Sequence, residues 1–168
     1  LYAYDPFGNL QYVLNPGGNP ESAAMYDIRG RKIWNYTPDM GTWAYAYNAL
    51  GELVKQTDAK GQLTTMTYDT LGRMTQRVEP GMTSDWKYDG AYYGKGKLQS
   101  AKTSNGYIGT RYYDAYGRPL LNIANLGVGN PLFFTSIAYD TAGRVSEQYL
   151  PSGVTTKRIY NNLGYETE

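Results

Sequence analysis

The chain contains nine Asp, and carboxylates are the first residues to examine for chemistry, because a suitably spaced pair can supply a general acid and a general base. Six of the nine (Asp5, Asp27, Asp69, Asp89, Asp114 and Asp140) directly follow a Tyr and recur along the chain. A recurring Asp of this kind reads as a turn cap. At the first position of a type I turn its side chain accepts a hydrogen bond from the backbone two residues on. Asp39 and Asp58 also read as turn residues, so no carboxylate pair remains for acid–base work. The sequence has no His and no Cys, which removes the commonest general base, the commonest neutral metal ligand and any thiolate or disulfide. Gly94-Lys95-Gly96-Lys97 lacks the spacing and the following helix of a phosphate loop. No catalytic, cofactor-binding or metal-binding residue is therefore assigned, and an enzyme is not expected.

Two further sets of side chains could carry binding. Arg31, Arg73, Arg118 and Arg144 recur after a glycine and could form an anion-binding ladder. The favoured expectation is that each pairs with a nearby carboxylate or stacks on a Tyr of the next hairpin. Trp34, Trp43, Trp86, Tyr92 and Tyr93 could contact carbohydrate by stacking, although packing on a sheet is the commoner use of such residues.

The elements that position these residues follow from a repeat. Tyr-Asp/Asn-x-x-Gly stands at Tyr4-Asp5 to Gly8, Tyr26-Asp27 to Gly30, Tyr47-Asn48 to Gly51 and Tyr68-Asp69 to Gly72. It continues at Tyr113-Asp114 to Gly117, Tyr139-Asp140 to Gly143 and Tyr160-Asn161 to Gly164, with a distorted copy from Tyr88-Asp89 to Gly96. Successive Tyr positions differ by 22, 21, 21, 20, 25, 26 and 21 residues, which is a repeat architecture. A second glycine sits about halfway through each unit, for example Gly61, Gly81, Gly106 and Gly153. A turn about every ten residues leaves strands of about six residues between turns. The motif glycine supplies the positive φ that returns the chain to the sheet, commonly through a bulge. No stretch between breakers reaches the ~12 residues of a stable helix.

Strand faces are partly readable. Trp43, Tyr45 and Tyr47 share one face with Ala44 and Ala46 opposite, and Met66 and Tyr68 oppose Leu63, Thr65 and Thr67. An apolar residue recurs after the motif glycine (Leu10, Ile33, Leu53, Met74, Leu98, Leu120, Val145) and is expected to pack in rows with the motif Tyr. Two units are longer. Asp89 to Gly96 inserts about four residues in one turn, and Leu126 to Phe133 enlarges another region. The fold expected is all-β, with tandem hairpins forming a continuous antiparallel sheet over residues 1–168 as a single array of about eight repeats.

Composition agrees. Tyr numbers 19 and Gly 20, against three Phe, and only 18% of residues are charged. The net charge of +1 and the scattered Lys and Arg give no footprint for nucleic acid. No apolar run approaches the ~20 residues of a membrane helix. The chain opens at Leu1 inside a patterned segment and is expected to be a fragment of a longer protein, self-associating through open sheet edges, with the uncharged Leu1 to Tyr4 end the stickier.

Tyr-Asp-x-x-Gly-Arg is intact at Tyr26 to Arg31, Tyr68 to Arg73, Tyr113 to Arg118 and Tyr139 to Arg144, and by this signature the chain resembles the YD (Rhs-type) repeat family. That family includes Rhs polymorphic toxins, B and C components of insecticidal toxin complexes, bacterial wall-associated proteins and teneurins. The resemblance implies a sheet that spirals into a shell enclosing or presenting a toxin or effector domain of a secreted or surface protein. Its implied partners are the remaining repeats and that effector domain. The alternative it allows is an adhesion surface that binds glycan or protein. Asn9, Glu52 and Tyr165 depart from the Arg, and Asn48 and Asn161 from the Asp. Asp5-Pro6-Phe7-Gly8 is similar to the Asp-Pro-x-Gly segment at which Rhs proteins cleave themselves. The favoured reading is that Pro6 holds the second position of a type I turn.

Overall fold

The computed structural model describes residues 1–167. Among them the chain forms fifteen strands and no helix. Contacts divide it into two compact units, Leu1–Thr83 and Ser84–Glu168. The first unit holds β1 (Tyr2–Tyr4), β2 (Leu10–Leu14), β3 (Pro20–Tyr26), β4 (Lys32–Thr37), β5 (Gly41–Tyr47), β6 (Leu53–Thr57), β7 (Leu63–Tyr68) and β8 (Met74–Glu79). The second holds β9 (Met82–Tyr88), β10 (Leu98–Thr103), β11 (Ile108–Tyr113), β12 (Pro119–Asn125), β13 (Leu132–Tyr139), β14 (Val145–Tyr149) and β15 (Thr155–Lys157), with β9 starting just before the boundary. Strand order follows the chain without a crossover, so the sheet is a run of antiparallel hairpins.

The motif turns set the register. In seven hairpins the pairing slips by one residue immediately before the motif Tyr, as where Ala46 faces Lys55 but Tyr47 faces Leu53. The same slip occurs at Tyr4–Leu10, Tyr26–Lys32, Tyr68–Met74, Tyr88–Leu98, Tyr113–Pro119 and Tyr139–Val145. Each is a bulge driven by the glycine of the turn, whose φ is 74° at Gly72. The residue facing the Tyr is always two beyond that glycine. Where an apolar residue stands one place later, as at Ile33 and Leu120, it occupies the bulge instead. Lys32 and Pro119 face the Tyr there. The pairing is fixed by turn geometry and is indifferent to the side chain that fills it.

In the first unit Trp43, Tyr45, Tyr47, Gln56, Thr64, Met66 and Tyr68 lie on one face, the less exposed of the two. The opposite face carries the cross-strand row Met25–Trp34–Ala44–Thr57–Leu63. In the second unit one face carries the rows Ile108–Asn125–Leu132, Thr110–Ile123–Phe134 and Tyr112–Leu121–Ser136–Tyr149. Much of it is uncovered, since Ile108, Tyr112, Leu132, Phe134 and Tyr149 are each 40–49% exposed.

Neither unit has a core in the usual sense. Among the described residues Ala23 and Met66 are the buried hydrophobic side chains, and Thr64 and Ser84 the buried polar ones. The accessible surface is 11345 Å2. A compact chain of 168 residues would expose roughly 8,300 Å2. Among the described residues of each unit, the strands are held by the backbone ladder and by side chains that lean across strands.

Candidate functional site: the ladder of motif turns

The four turns with an intact Tyr-Asp-x-x-Gly-Arg share one plan. The carbonyl of Asp27 accepts the N–H of Gly30 and its N–H donates to the carbonyl of Arg31, both at 2.9 Å. Asp27 Oδ1 accepts the N–H groups of Arg29 (2.9 Å) and Arg31 (3.0 Å). Its other oxygen, Oδ2, takes the Arg31 guanidinium through Nε (2.7 Å) and Nη2 (2.6 Å). Asp69–Arg73 and Asp114–Arg118 repeat this fork, and Asp140 Oδ2 takes Arg144 through Nε at 2.7 Å. Each aspartate is thus capped by its own turn, and each motif Arg has a carboxylate within 2.7 Å.

The guanidinium also reaches the next repeat. Arg31 lies over the Tyr47 ring (4.6 Å to the centroid), Arg118 over Tyr139 (4.0 Å) and Arg144 over Tyr160 (4.3 Å). The Tyr hydroxyl then returns the connection. Tyr47 Oη donates to the Lys32 carbonyl (2.9 Å), Tyr68 to Leu53 (2.8 Å), Tyr139 to Pro119 (2.8 Å) and Tyr160 to Val145 (2.8 Å). Tyr26 to Leu10 (3.1 Å) and Tyr113 to Leu98 (2.6 Å) follow the same rule. The accepting carbonyl belongs to the residue two beyond the preceding motif glycine, the one paired with the preceding motif Tyr. One Tyr therefore closes its own hairpin and clamps the hairpin before it.

Two departures from the motif preserve the bond. Asn9 Nδ2 donates to Asp5 Oδ2 at 2.8 Å in place of an Arg. In the third repeat Asn48 Nδ2 donates to Glu52 Oε2 at 2.5 Å, so donor and acceptor have exchanged positions. The distorted repeat keeps the frame across its insertion. Asp89 N–H donates to the Lys97 carbonyl (3.0 Å), and the Lys97 ammonium stands 5.7 Å from the Tyr113 ring centroid. Lys97 thus holds the place of the motif Arg, which sequence spacing concealed because the insertion moves it four residues along.

The carboxyls are tuned by these contacts. The Arg31 and Arg73 side chains hold Asp27 and Asp69 below the ordinary carboxylate value of 3.8, and the Asn9 amide does the same for Asp5. At Asp114 partial desolvation opposes the shift, but the backbone and side-chain hydrogen bonds of Arg118 lower it on balance. Asp140 is lowered first by the Arg144 N–H. Burial pushes the Tyr68 phenol up, with the Glu52 charge adding to it. The lowered aspartates favour the charged, hydrogen-bonded form of a structural clip, and the raised Tyr68 phenol keeps the proton that it donates to the Leu53 carbonyl.

The remaining sequence candidates are scattered. Asp5, with Pro6 in its turn, accepts the N–H groups of Phe7 (2.9 Å) and Asn9 (2.8 Å) as the other caps do. Trp34, Trp43 and Trp86 are half-buried in the sheet, and the Trp43 indole N–H donates to the Met40 carbonyl at 3.1 Å. Tyr92 and Tyr93 stand out from the second unit at 81% and 50% exposure. No cluster of metal-ligating side chains occurs among the described residues.

Comparison with known proteins places this geometry. Residues 47–84 match the family model described as RHS Repeat. No curated protein matches the chain. The crystal structure of TcdB2-TccC3 without its hypervariable C-terminal region superposes with a TM-score of 0.81 at 16% identity. TcdB2-TccC3-Cdc42 superposes at 0.80 and 16%, and the Photorhabdus luminescens Tc holotoxin pore, with a mutated TccC3, at 0.79 and 15%. Each alignment covers 98% of this chain and 10% of the other, so the chain spans about a tenth of the length of the structures it matches. At this identity the likeness shows the fold.

Proposed function

We propose that this chain, of which residues 47–84 match the RHS Repeat model, serves as a non-enzymatic wall segment of a larger YD-repeat shell, which encloses or presents an effector domain of a secreted or surface bacterial protein. The observation that carries the reading is the single-layer sheet. Its strands are paired by a backbone ladder and its turns are clipped, yet a face of the second unit leaves Phe134, Leu132, Ile108 and Tyr149 uncovered. A self-sufficient domain buries such a face against a second layer. A wall presents it to whatever the larger protein places there. The toxin-complex structures that share the fold, each far longer than this chain, support the same reading.

The mechanism is mechanical. Repeats are bonded to one another by a strand ladder and a Tyr hydroxyl, joined at Arg31, Arg118 and Arg144 by an Arg–Tyr contact, so the wall is stiff and sequesters cargo without chemistry. The test is limited proteolysis of the full-length parent. The effector segment is expected to survive protease while the repeats are intact, and to be cut once Tyr47, Tyr68 and Tyr139 are all changed to Ala. Cleavage of that segment at equal rates in both proteins would refute the enclosing wall.

A further inference from the structure

The second unit carries a group of aromatic side chains that the turn ladder does not use. Asp89 (φ 66°) and Tyr93 (φ 59°) are the non-glycine residues with positive φ among the described residues, and both lie in the inserted turn. A bulky residue rarely adopts this conformation. Hydrogen bonds from Gly94 N–H to the Ala91 carbonyl and from Lys97 N–H to the Gly94 carbonyl, both 2.9 Å, hold the loop in place. The outcome is that the Tyr92 and Tyr93 rings stand together, centroids 4.2 Å apart and tilted by 57°. The loop leans on the next motif turn, since the Tyr93 carbonyl lies 3.5 Å from where a Gly117 side chain would begin. That turn raises a third ring, Tyr116, which is 84% exposed.

Beyond Tyr116 the edge opens into a cleft of about 630 Å3 lined by Tyr116, Arg118, Asp140, Thr141, Ala142 and Gly143. Arg118 lies against two rings, Tyr116 (4.9 Å) and Tyr139 (4.0 Å). Its Nε and Nη2 are fixed on Asp114. Its Nη1 lies 3.0 Å from where a side chain on Gly143 would begin, and Arg118 and Gly143 both line the cleft.

We propose that this edge binds carbohydrate, with pyranose rings stacked on Tyr116 and on the Tyr92–Tyr93 pair and their hydroxyls bonded to Arg118 Nη1 and Thr141. A pyranose has an apolar C–H face and a rim of hydroxyls. It suits exposed aromatic faces beside fixed donors and acceptors. A folded protein partner would need a deep pocket for an anchoring side chain, which this open polar cleft lacks. Asp114 already neutralises Arg118, so a free anion has little net charge to seek. The site goes beyond the wall function and is independent of it, because it lies on the turn edge and not on a sheet face.

The experiment is calorimetric titration of the 168-residue chain with chitohexaose, cellohexaose, mannohexaose and maltohexaose. At least one is expected to give saturable heat. Tyr116→Ala and deletion of residues 90–93 should each weaken it by about tenfold or more, with Tyr116→Trp retaining it. Tyr112→Ala, on the sheet face, should leave it unchanged. Melting curves of Tyr116→Ala should match the parent, as the side chain is exposed. The proposal is overturned if none of the four saccharides binds, if Tyr116→Ala binds as tightly as the parent, or if Tyr112→Ala weakens binding equally. Saturable binding of unfolded casein in place of the saccharides would assign the edge to peptide and overturn it too.

Discussion

A single aspartate in this chain does three things at once: it caps a turn, neutralises an arginine and so fixes that arginine over the neighbouring tyrosine. The charge state of these aspartates therefore enters stability. Asp5, Asp27, Asp69, Asp114 and Asp140 all have carboxyls held below 3.8 in the folded chain. A group with a depressed folded value stabilises fully above its unfolded value and loses that contribution as pH falls toward the folded one. Melting temperature is expected to be flat from neutral pH to about 5 and to fall below about 4. Asp114→Asn should melt lower than the parent at neutral pH and show a smaller further drop in acid. Thermal melts of both proteins across this range check the point, and parallel curves would show that the clip contributes nothing. The caps and motif glycines are readable in the sequence because local turn chemistry dictates them. The Tyr hydroxyl clamp is not readable, because its acceptor is a backbone carbonyl that any residue supplies.

At the scale of one hairpin, the inserted turn shows how far the lattice tolerates change. Residues 90–93 intervene between Asp89 and a remnant that is itself a motif. Their removal would leave Tyr88-Asp89-Gly94-Lys95-Gly96-Lys97, with Gly96 already at φ 79° and Lys97 already in the Arg position. The shortened turn also discards the left-handed Tyr93 and frees Asp89 to adopt the ordinary cap. The deletion is expected to fold and to gain stability, by about 1–3 kcal/mol if the strain at these residues is fully relieved. Chemical denaturation of the two chains measures it, and a large loss would mean that the loop braces the sheet. The extra length here was visible in the spacing from Tyr88 to Tyr113. The role of Lys97 was hidden, since no sequence rule tells which of two lysines re-enters the frame. Ile33 and Leu120 illustrate the same limit. Their apolar character suggested pairing with the Tyr, but the bulge sets register by distance from the glycine, and Lys32 and Pro119 take the place.

For the whole molecule the governing fact is surface left uncovered. Hairpins in chain order and turns every ten residues were legible because the repeat is phased; the shortage of buried side chains was not, because alternating strands look alike whether or not a second layer covers them. The chain is expected to associate in solution through the face bearing Ile108, Tyr112, Leu132 and Phe134. Light scattering over a concentration series should show mass rising with concentration, and Phe134→Glu with Tyr112→Glu should hold it near the monomer. A parent chain that is monomeric at high concentration would refute this. One feature of the ladder bears on how such proteins vary. Because the tyrosine clamp grips main chain and the turn clip accepts either bond polarity, as Asn48 and Glu52 demonstrate, neither depends on which side chain stands at the clamped position, and only the Arg–Tyr contact asks for a particular pair. Whole repeats are then expected to tolerate duplication, deletion or shuffling between arrays with little matching change next door. Selection on the exposed turns, such as the one carrying Tyr92 and Tyr93, then runs free of selection on assembly.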